Sequence, residues 1–284
     1  IDGPIGFVFV INVLPVVIFF SAFIAVMYHL GIMMWVVRII GGGLRRCIGT
    51  SHAESTVSAA NIFIGQAEAP LVVKPFIPSM TRSELFAVMV GGMSTIAGSV
   101  MAGYVALGIP LEYLVTASFM AAPGGLMMAK LIEPETGTPF VPQAGDDATA
   151  PSYVNIIDAA ATGALDGLRM AAAIAAMLIA FIALIALING LLQYLGAFVG
   201  FEYVTLELIL GYLLSPVAWL LGIPWAEAST AGSLIGQKLI LNEFVAYVAF
   251  SDVSESLSLI SQAVVIFALC GFANLSSIAI LLGG

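Results

Sequence analysis

The sequence predicts an all-α polytopic membrane protein in which a re-entrant helical hairpin plus a broken transmembrane helix forms an inverted repeat, carried on a scaffold of long helices. Three observations predict it. Of the 284 residues 61% are apolar and 9% charged, with a mean hydropathy of +1.11, whereas soluble domains carry about a quarter charged residues. Uncharged stretches such as 5–28, 170–200 and 257–284 exceed the ~18 residues that mark a spanning helix, and a barrel would show short alternating segments instead. Finally, polar interruptions recur in the same order in two parts of the apolar chain.

Residues 1–30 read as a scaffold transmembrane helix with a kink at Pro15. Residues 31–53 differ: Ile32, Met33, Trp35, Val36, Ile39 and Ile40 are interrupted by Arg38 and followed by Arg45 and Arg46. That pattern fits an amphipathic helix in the membrane interface, its arginines on the cytoplasmic side.

Residues 54–133 form the first repeat. Its opening segment centres on Gly65-Gln66-Ala67-Glu68-Ala69-Pro70. Charge parity separates a crossing from a hairpin. If the segment dips in and returns, Arg38, Arg45, Arg46, Lys74, Arg82, Lys130 and Arg169, seven of the eight bases, share one side. A crossing would split them, so the hairpin is preferred. Residues 85–107 then cross outward, broken by Gly91-Gly92, Ser94-Thr95 and Gly98-Ser99, and 111–131 return as a closing helix containing Pro123-Gly124-Gly125.

Residues 134–154 read as a cytoplasmic loop, 155–200 as a long scaffold helix, and 201–222 as an external interfacial helix with a bend at Pro216. Residues 223–284 form the second repeat: a hairpin interrupted by Gly232, Gly236, Lys238, Asn242 and Glu243, then a helix broken at 271–277. Twenty-seven residues separate Glu68 from Thr95, and 31 separate Glu243 from Asn274. One copy enters from inside and the other from outside, and such paired interruptions point to a transporter's midplane binding site. The closing helix of the second copy is expected to be missing.

Glu68 and Glu243 at membrane depth are the costliest residues, each roughly 2.5–3.5 kcal/mol on insertion scales, and mark function by default. Gln66, Asn242 and Asn274 add paired donors and acceptors, suited to a neutral heterocyclic or sugar-like solute rather than an anion. Asn61, Thr95 and carbonyls freed near Thr95 are hard oxygen ligands that fit Na⁺, with proton coupling through either glutamate as the alternative.

Other chemistry finds little support. The net charge of −9 disfavours a nucleic-acid surface, and no GxSxG, HExxH, GxxxxGK(S/T) or CxxC element occurs. His29 and His52 lack a second ligand at useful spacing, and Cys47 and Cys270 read as small buried side chains. No leader segment and no cofactor are expected. A passive channel, an intramembrane hydrolase and a carrier of another small polar solute are the rival classes.

The stretches Gly65-Gln66-Ala67-Glu68-Ala69-Pro70-Leu71, Ser94-Thr95-Ile96-Ala97-Gly98-Ser99, Asn242-Glu243-Phe244-Val245-Ala246-Tyr247 and Cys270-Gly271-Phe272-Ala273-Asn274-Leu275-Ser276-Ser277 resemble the concentrative nucleoside transporter family. The resemblance implies a homotrimeric, sodium-coupled nucleoside symporter of the inner (plasma) membrane, moving a transport domain by alternating access. It implies nucleobase contacts from Gln66, Glu68 and Val100, ribose contacts from Glu243, Asn274 and Ser277, and Phe272 lining the pocket. Sodium would be held by Asn61, Thr95 and the carbonyls of Ile64 and Ile96. Ala67 stands where the family usually has a hydroxyl, and the family pattern implies a chain truncated at both ends.

Overall fold

The structure, a computed structural model, describes residues 9–66, 69–139, 153–200, 203–275 and 277. All regular elements among these residues are helical, which suits an apolar solvent because a helix satisfies its own N–H and C=O groups. Helix α1 (Phe9–Asn12) is followed by α2 (Leu14–His29). The kink expected at Pro15 falls instead at Val13, because Pro15 occupies the first turn of α2, where its missing N–H removes no helical bond. Gly31 adopts a φ of 75°, open to glycine at no steric cost, and α3 (Ile32–Ile48) leaves at 80° to α2. Cys47 near its end is exposed, not buried as its residue type suggests, in a last turn whose neighbours Arg45, Arg46 and Ile48 are exposed too; Cys270 is buried.

Helix α4 (His52–Asn61) opens on a capping box: the Ser51 hydroxyl accepts the Glu54 N–H (3.4 Å) and Glu54 accepts the Ser51 N–H (2.9 Å). A 3-10 helix, Ala69–Ser79, leads to α5 (Arg82–Ser94), which opens on a second box between Thr81 and Glu84. Both glutamates are buried. Lys130, in the last turn of α7 (Leu111–Ile132), pairs with Glu54, donates to the Ser83 hydroxyl (2.8 Å) and lies 3.6 Å from Glu135. The chain entering at Ser51 and the chain leaving near Thr81 therefore meet at one lysine, so the segment between them goes in and comes back.

Helix α5 runs unbroken through Gly91-Gly92 and stops at Thr95, whose φ and ψ of −119° and 176° are extended; α6 (Gly98–Ala106) then resumes. The expected interruption at Gly91-Gly92 is thus corrected: both glycines lie inside α5 beside the hairpin tip, where a Cβ on Gly92 would make ordinary contact with Gln66 at 3.5 Å. Residues 82–106, α7 and 156–198 are the described helices long and apolar enough to cross a bilayer.

Helix α8 (Ile156–Val199) runs 44 residues. A Cβ on Gly163 would lie 2.6 Å from the Ala25 side chain, and one on Gly167 2.8 Å from the Ile18 Cα, so the two glycines seat α8 on α2 and fix its rotation. Helix α9 (Leu206–Leu220) carries Pro216 without breaking. The bend expected there comes at Gly222 (φ 98°), and α10 (Trp225–Ile240) leaves at 114° to α9. Gly232 and Gly236 do not interrupt α10 either. They let it lie on α9, where a Cβ on Gly232 would sit 2.9 Å from the Gly211 carbonyl oxygen. Helices α11 (Glu243–Val253) and α12 (Leu259–Leu269) complete the second hairpin and the start of the second broken helix.

The main apolar core joins both repeats, with Ile96, Tyr104 and Leu114 from the first packed among Leu234, Phe244, Tyr247 and Ile266 from the second. Tyr104 stacks on Phe244 and Tyr247 with centroids 4.7 and 4.4 Å away, distances at which aromatic pairs add to simple burial. A smaller core of Val57, Val72, Val73, Phe76 and Val88 fills the first hairpin.

Candidate functional site

Each break is built by the hairpin beside it. In the first repeat the Thr95 hydroxyl donates to the Asn61 carbonyl (2.8 Å) and the Gly98 N–H to the Phe63 carbonyl (3.0 Å), tying the unwound turn to the hairpin tip. In the second, Asn242 is extended and its Oδ1 accepts the Val245 N–H (2.9 Å), so it caps α11. Glu243 is thereby the first residue of that helix, where the positive end of the dipole favours a carboxylate. Asn274 Oδ1 accepts the Ser277 N–H (2.8 Å), and its Nδ2 donates to Glu243 (2.8 Å).

The two breaks also touch each other. The Phe272 N–H donates to the Thr95 carbonyl (3.3 Å), and Gly271, at φ 149°, leaves room for the Ser94 carbonyl oxygen only 2.9 Å from where a Cβ would be. Of the carbonyls near the first break, that of Thr95 is therefore engaged by the second repeat.

A cavity of about 440 Å³ opens between the tips. Gln66, Val100, Glu243, Phe272, Asn274 and Ser277, six of the residues singled out for substrate, all line it. Ala67 and Glu68 lie outside the described residues. The expected ion ligands are not part of this lining: Asn61, Thr95 and Ile96 are buried and Ile64 half-buried at the first hairpin and its break. Among the described residues neither Asn61 Oδ1 nor Nδ2 has a hydrogen-bond partner, so this amide is uncommitted. Gln66 Oε1 and Asn242 Nδ2 are likewise buried and unpartnered. An orphaned buried polar atom costs about 1–3 kcal/mol, and these three orphaned side chains sit at the two hairpin tips. A hard cation suits the neutral oxygens of Asn61, and a neutral polar solute suits the amides and carboxylate of the cavity.

The sequence reading misses one wall. Asp166, Arg169, Met170, Ala173, Ile174 and Met177 of α8 face the same cavity. Their spacing of three, four, seven, eight and eleven residues is one helix face, a signal readable in the sequence once α8 is known to flank the site. Asp166 and Arg169 form an exposed pair at 3.2 Å.

Comparison with known proteins is consistent from end to end. Residues 113–284 match a family model described as the Na+ dependent nucleoside transporter C-terminus, and residues 10–111 one described as nucleoside recognition. The chain is 56% identical to an uncharacterized transporter of Bacillus subtilis, YutK, over 99% of its own length and 69% of that protein. It is 51% identical to the nucleoside permease NupC of Helicobacter pylori, over 100% and 68%. To the human sodium/nucleoside cotransporter 1 it is 42% identical, over 98% and 45%. It superposes on CNTnw in an inward-facing substrate-bound state with a TM-score of 0.93 at 53% identity, covering 100% of this chain and 68% of that one. A double variant of CNTnw in an outward-facing state gives the same score and identity, over 98% and 66%.

Proposed function

We propose that this chain, which belongs to the concentrative nucleoside transporter family, takes up nucleosides across the plasma membrane by sodium-coupled symport. The family is one of transporters, not enzymes. The observation that carries the reading is the convergence of both hairpin tips and both helix breaks on one cavity, where among the described residues they offer the amides of Gln66, Asn242 and Asn274, the Ser277 hydroxyl and the buried Glu243 carboxylate, with the exposed Asp166–Arg169 pair on the α8 side. Glu243 accepts hydrogen bonds from ribose hydroxyls, and Asn274 and Ser277 complete that end. Gln66, Ala67 and Glu68 of the first tip face the nucleobase, with Val100 and Phe272 supplying its apolar walls. Sodium binds at Asn61 and Thr95 with the carbonyls of Ile64 and Ile96.

The substrate site is shared between moving repeats and the α8 wall, so alternating access follows if the repeats travel along α8 as one body. CNTnw is known in inward- and outward-facing states, and the same two end states are assigned to this chain. The C-terminal half of α8 exposes Ile179, Leu187, Leu191, Leu195 and Phe198, an apolar stripe suited to lipid and to sister subunits of a homotrimer. One cation falling through ~100 mV supplies about 2.3 kcal/mol, enough for roughly 50-fold accumulation, so one ion drives uphill uptake.

Thermal stabilisation of the purified protein by uridine or adenosine, with and without Na⁺, tests the reading, because a ligand that binds only the folded state raises apparent stability. A shift that requires sodium is expected. A nucleoside shift that follows pH instead replaces sodium with protons, and no shift with any nucleoside assigns the site to another polar solute.

A further inference from the structure

Seven of the eight lysines and arginines belong to the face that the sequence assigns to the cytoplasm; the eighth, Lys238, is 7% exposed within the second hairpin. Burying an ammonium costs several kcal/mol unless it is paired and hydrogen-bonded, and the transport reading gives it no task. Lys238 stands in the last turn of α10. Its Nζ donates to the Ala268 carbonyl (3.3 Å), in the final turn of α12 immediately before the second break. Cys270 caps α12 two residues beyond Ala268, and Glu243 opens α11 five residues after Lys238.

The repeat gives that position a meaning. In the first repeat the end of the hairpin's first arm meets the broken helix through Asn61 and Thr95, and the Asn61 amide is left without a partner among the described residues. In the second repeat the end of the first arm meets the broken helix through the Lys238 ammonium and the Ala268 carbonyl. One junction presents neutral oxygens. The other is filled by a cation attached to the chain. The carbonyl end of a helix carries partial negative charge, so the end of α12 and the carboxylate of Glu243 together suit that cation.

We propose that Lys238 is a tethered cation that serves the second hairpin as a mobile coupling ion serves the first, neutralising Glu243 and the end of α12, so that each substrate travels with one ion rather than two. This rests on reading the Asn61–Thr95 junction as the coupling-ion site. Because the ammonium moves with its hairpin in both directions, it adds nothing to the net charge carried per cycle.

With equal salt and pH on both sides of the proteoliposome membrane and a fixed uridine gradient, the voltage that just arrests uridine flux gives the charge moved per uridine, whichever cation carries it. With Lys238→Gln the ratio is expected to rise from one charge toward two as the emptied junction recruits a second ion, and cation activation becomes sigmoidal; Lys238→Arg keeps the wild-type ratio. A Lys238→Gln protein that transports at the wild-type ratio overturns the proposal. If Lys238→Gln does not transport, Lys238→Arg decides: activity supports a role for charge, and inactivity refutes it. Asn61→Ala tests the first junction separately, raising the cation concentration for half-activation about tenfold, or 1.4 kcal/mol. Unchanged activation in Asn61→Ala removes the reading of the first junction, whereas an unchanged ratio in Lys238→Gln with Asn61→Ala impaired removes only the tethered cation.

Discussion

The two hairpins have the same outline and are anchored by opposite means. The first is tied at its open end by charge, where Lys130 holds Glu54, Ser83 and Glu135 and two capping boxes start the flanking helices. The second is held by shape along its length, where Gly211 and Gly232 bring α9 and α10 into backbone contact and Gly236 admits the Leu210 and Leu214 side chains. An inverted repeat thus dictates where the polar tips meet, and leaves the means of anchoring to the local solvent. Charges are cheap near water, whereas along apolar helices close packing is the main cohesion available.

The tips themselves differ in the same sense, and the largest expected effect breaks that comparison most directly. Among the described residues the second tip offers a carboxylate at Glu243 and the first an amide at Gln66. Glu243→Gln is expected to lower uridine uptake about 100-fold while the protein stays folded, and Gln66→Leu about tenfold, following the roughly twofold greater worth of hydrogen bonds to charged groups. Equal losses would mean that both tips bind by the same kind of contact.

Lys130→Met leaves the buried Glu54 carboxylate without its cation and is expected to cost about 3 kcal/mol. Denaturation in detergent would measure the loss, and hydrogen exchange should place it in residues 51–94 rather than in α10 and α11. Gly232→Val is the counterpart on the other side. Its Cβ meets three backbone atoms at 2.9 Å, and about 2 kcal/mol of overpacking strain is expected, appearing as exchange in α9 and α10 and insensitive to salt.

The smallest effect is that of acid. Burial pushes the Glu135 carboxyl up, but hydrogen bonds from Thr81 and the Gly137 N–H and the charge of Lys130 outweigh it and hold the group below its ordinary value. A depressed folded value contributes stability above the unfolded value of about 4.3, and that contribution is lost as pH falls through the lower folded one. Acid should therefore loosen the first hairpin's anchor, and Glu135→Gln should flatten that response in a pH series of exchange rates.

The helical class and the hairpin order were legible because length, apolar run and charge parity are properties of the chain alone. The cavity was legible through Glu243 and Asn274, polar groups that no apolar segment keeps without a reason. The interruptions were harder to place. Gly91-Gly92, Gly232, Gly236 and Pro216 all look like breaks, yet each lies inside a continuous helix. Glycine serves either a turn or a close approach, and the approaching partner is elsewhere in the chain. The pattern Ser/Thr-x-x-Glu at Ser51–Glu54 and Thr81–Glu84 is a signal for two helix starts that the sequence reading left unused. The α8 wall is another, but only a neighbour could say which of its faces meets the site.

The contact between the breaks has a consequence for how the molecule is made. The Thr95 carbonyl and the notch beside Ser94 belong to the first repeat, and their partners, the Phe272 N–H and the side-chain-free Gly271, to the second. Synthesis proceeds from the N-terminus, so the earlier half emerges with a polar backbone group that has no mate until the later half arrives. The seam therefore closes only once the second repeat has been made, and the order of translation becomes part of its assembly.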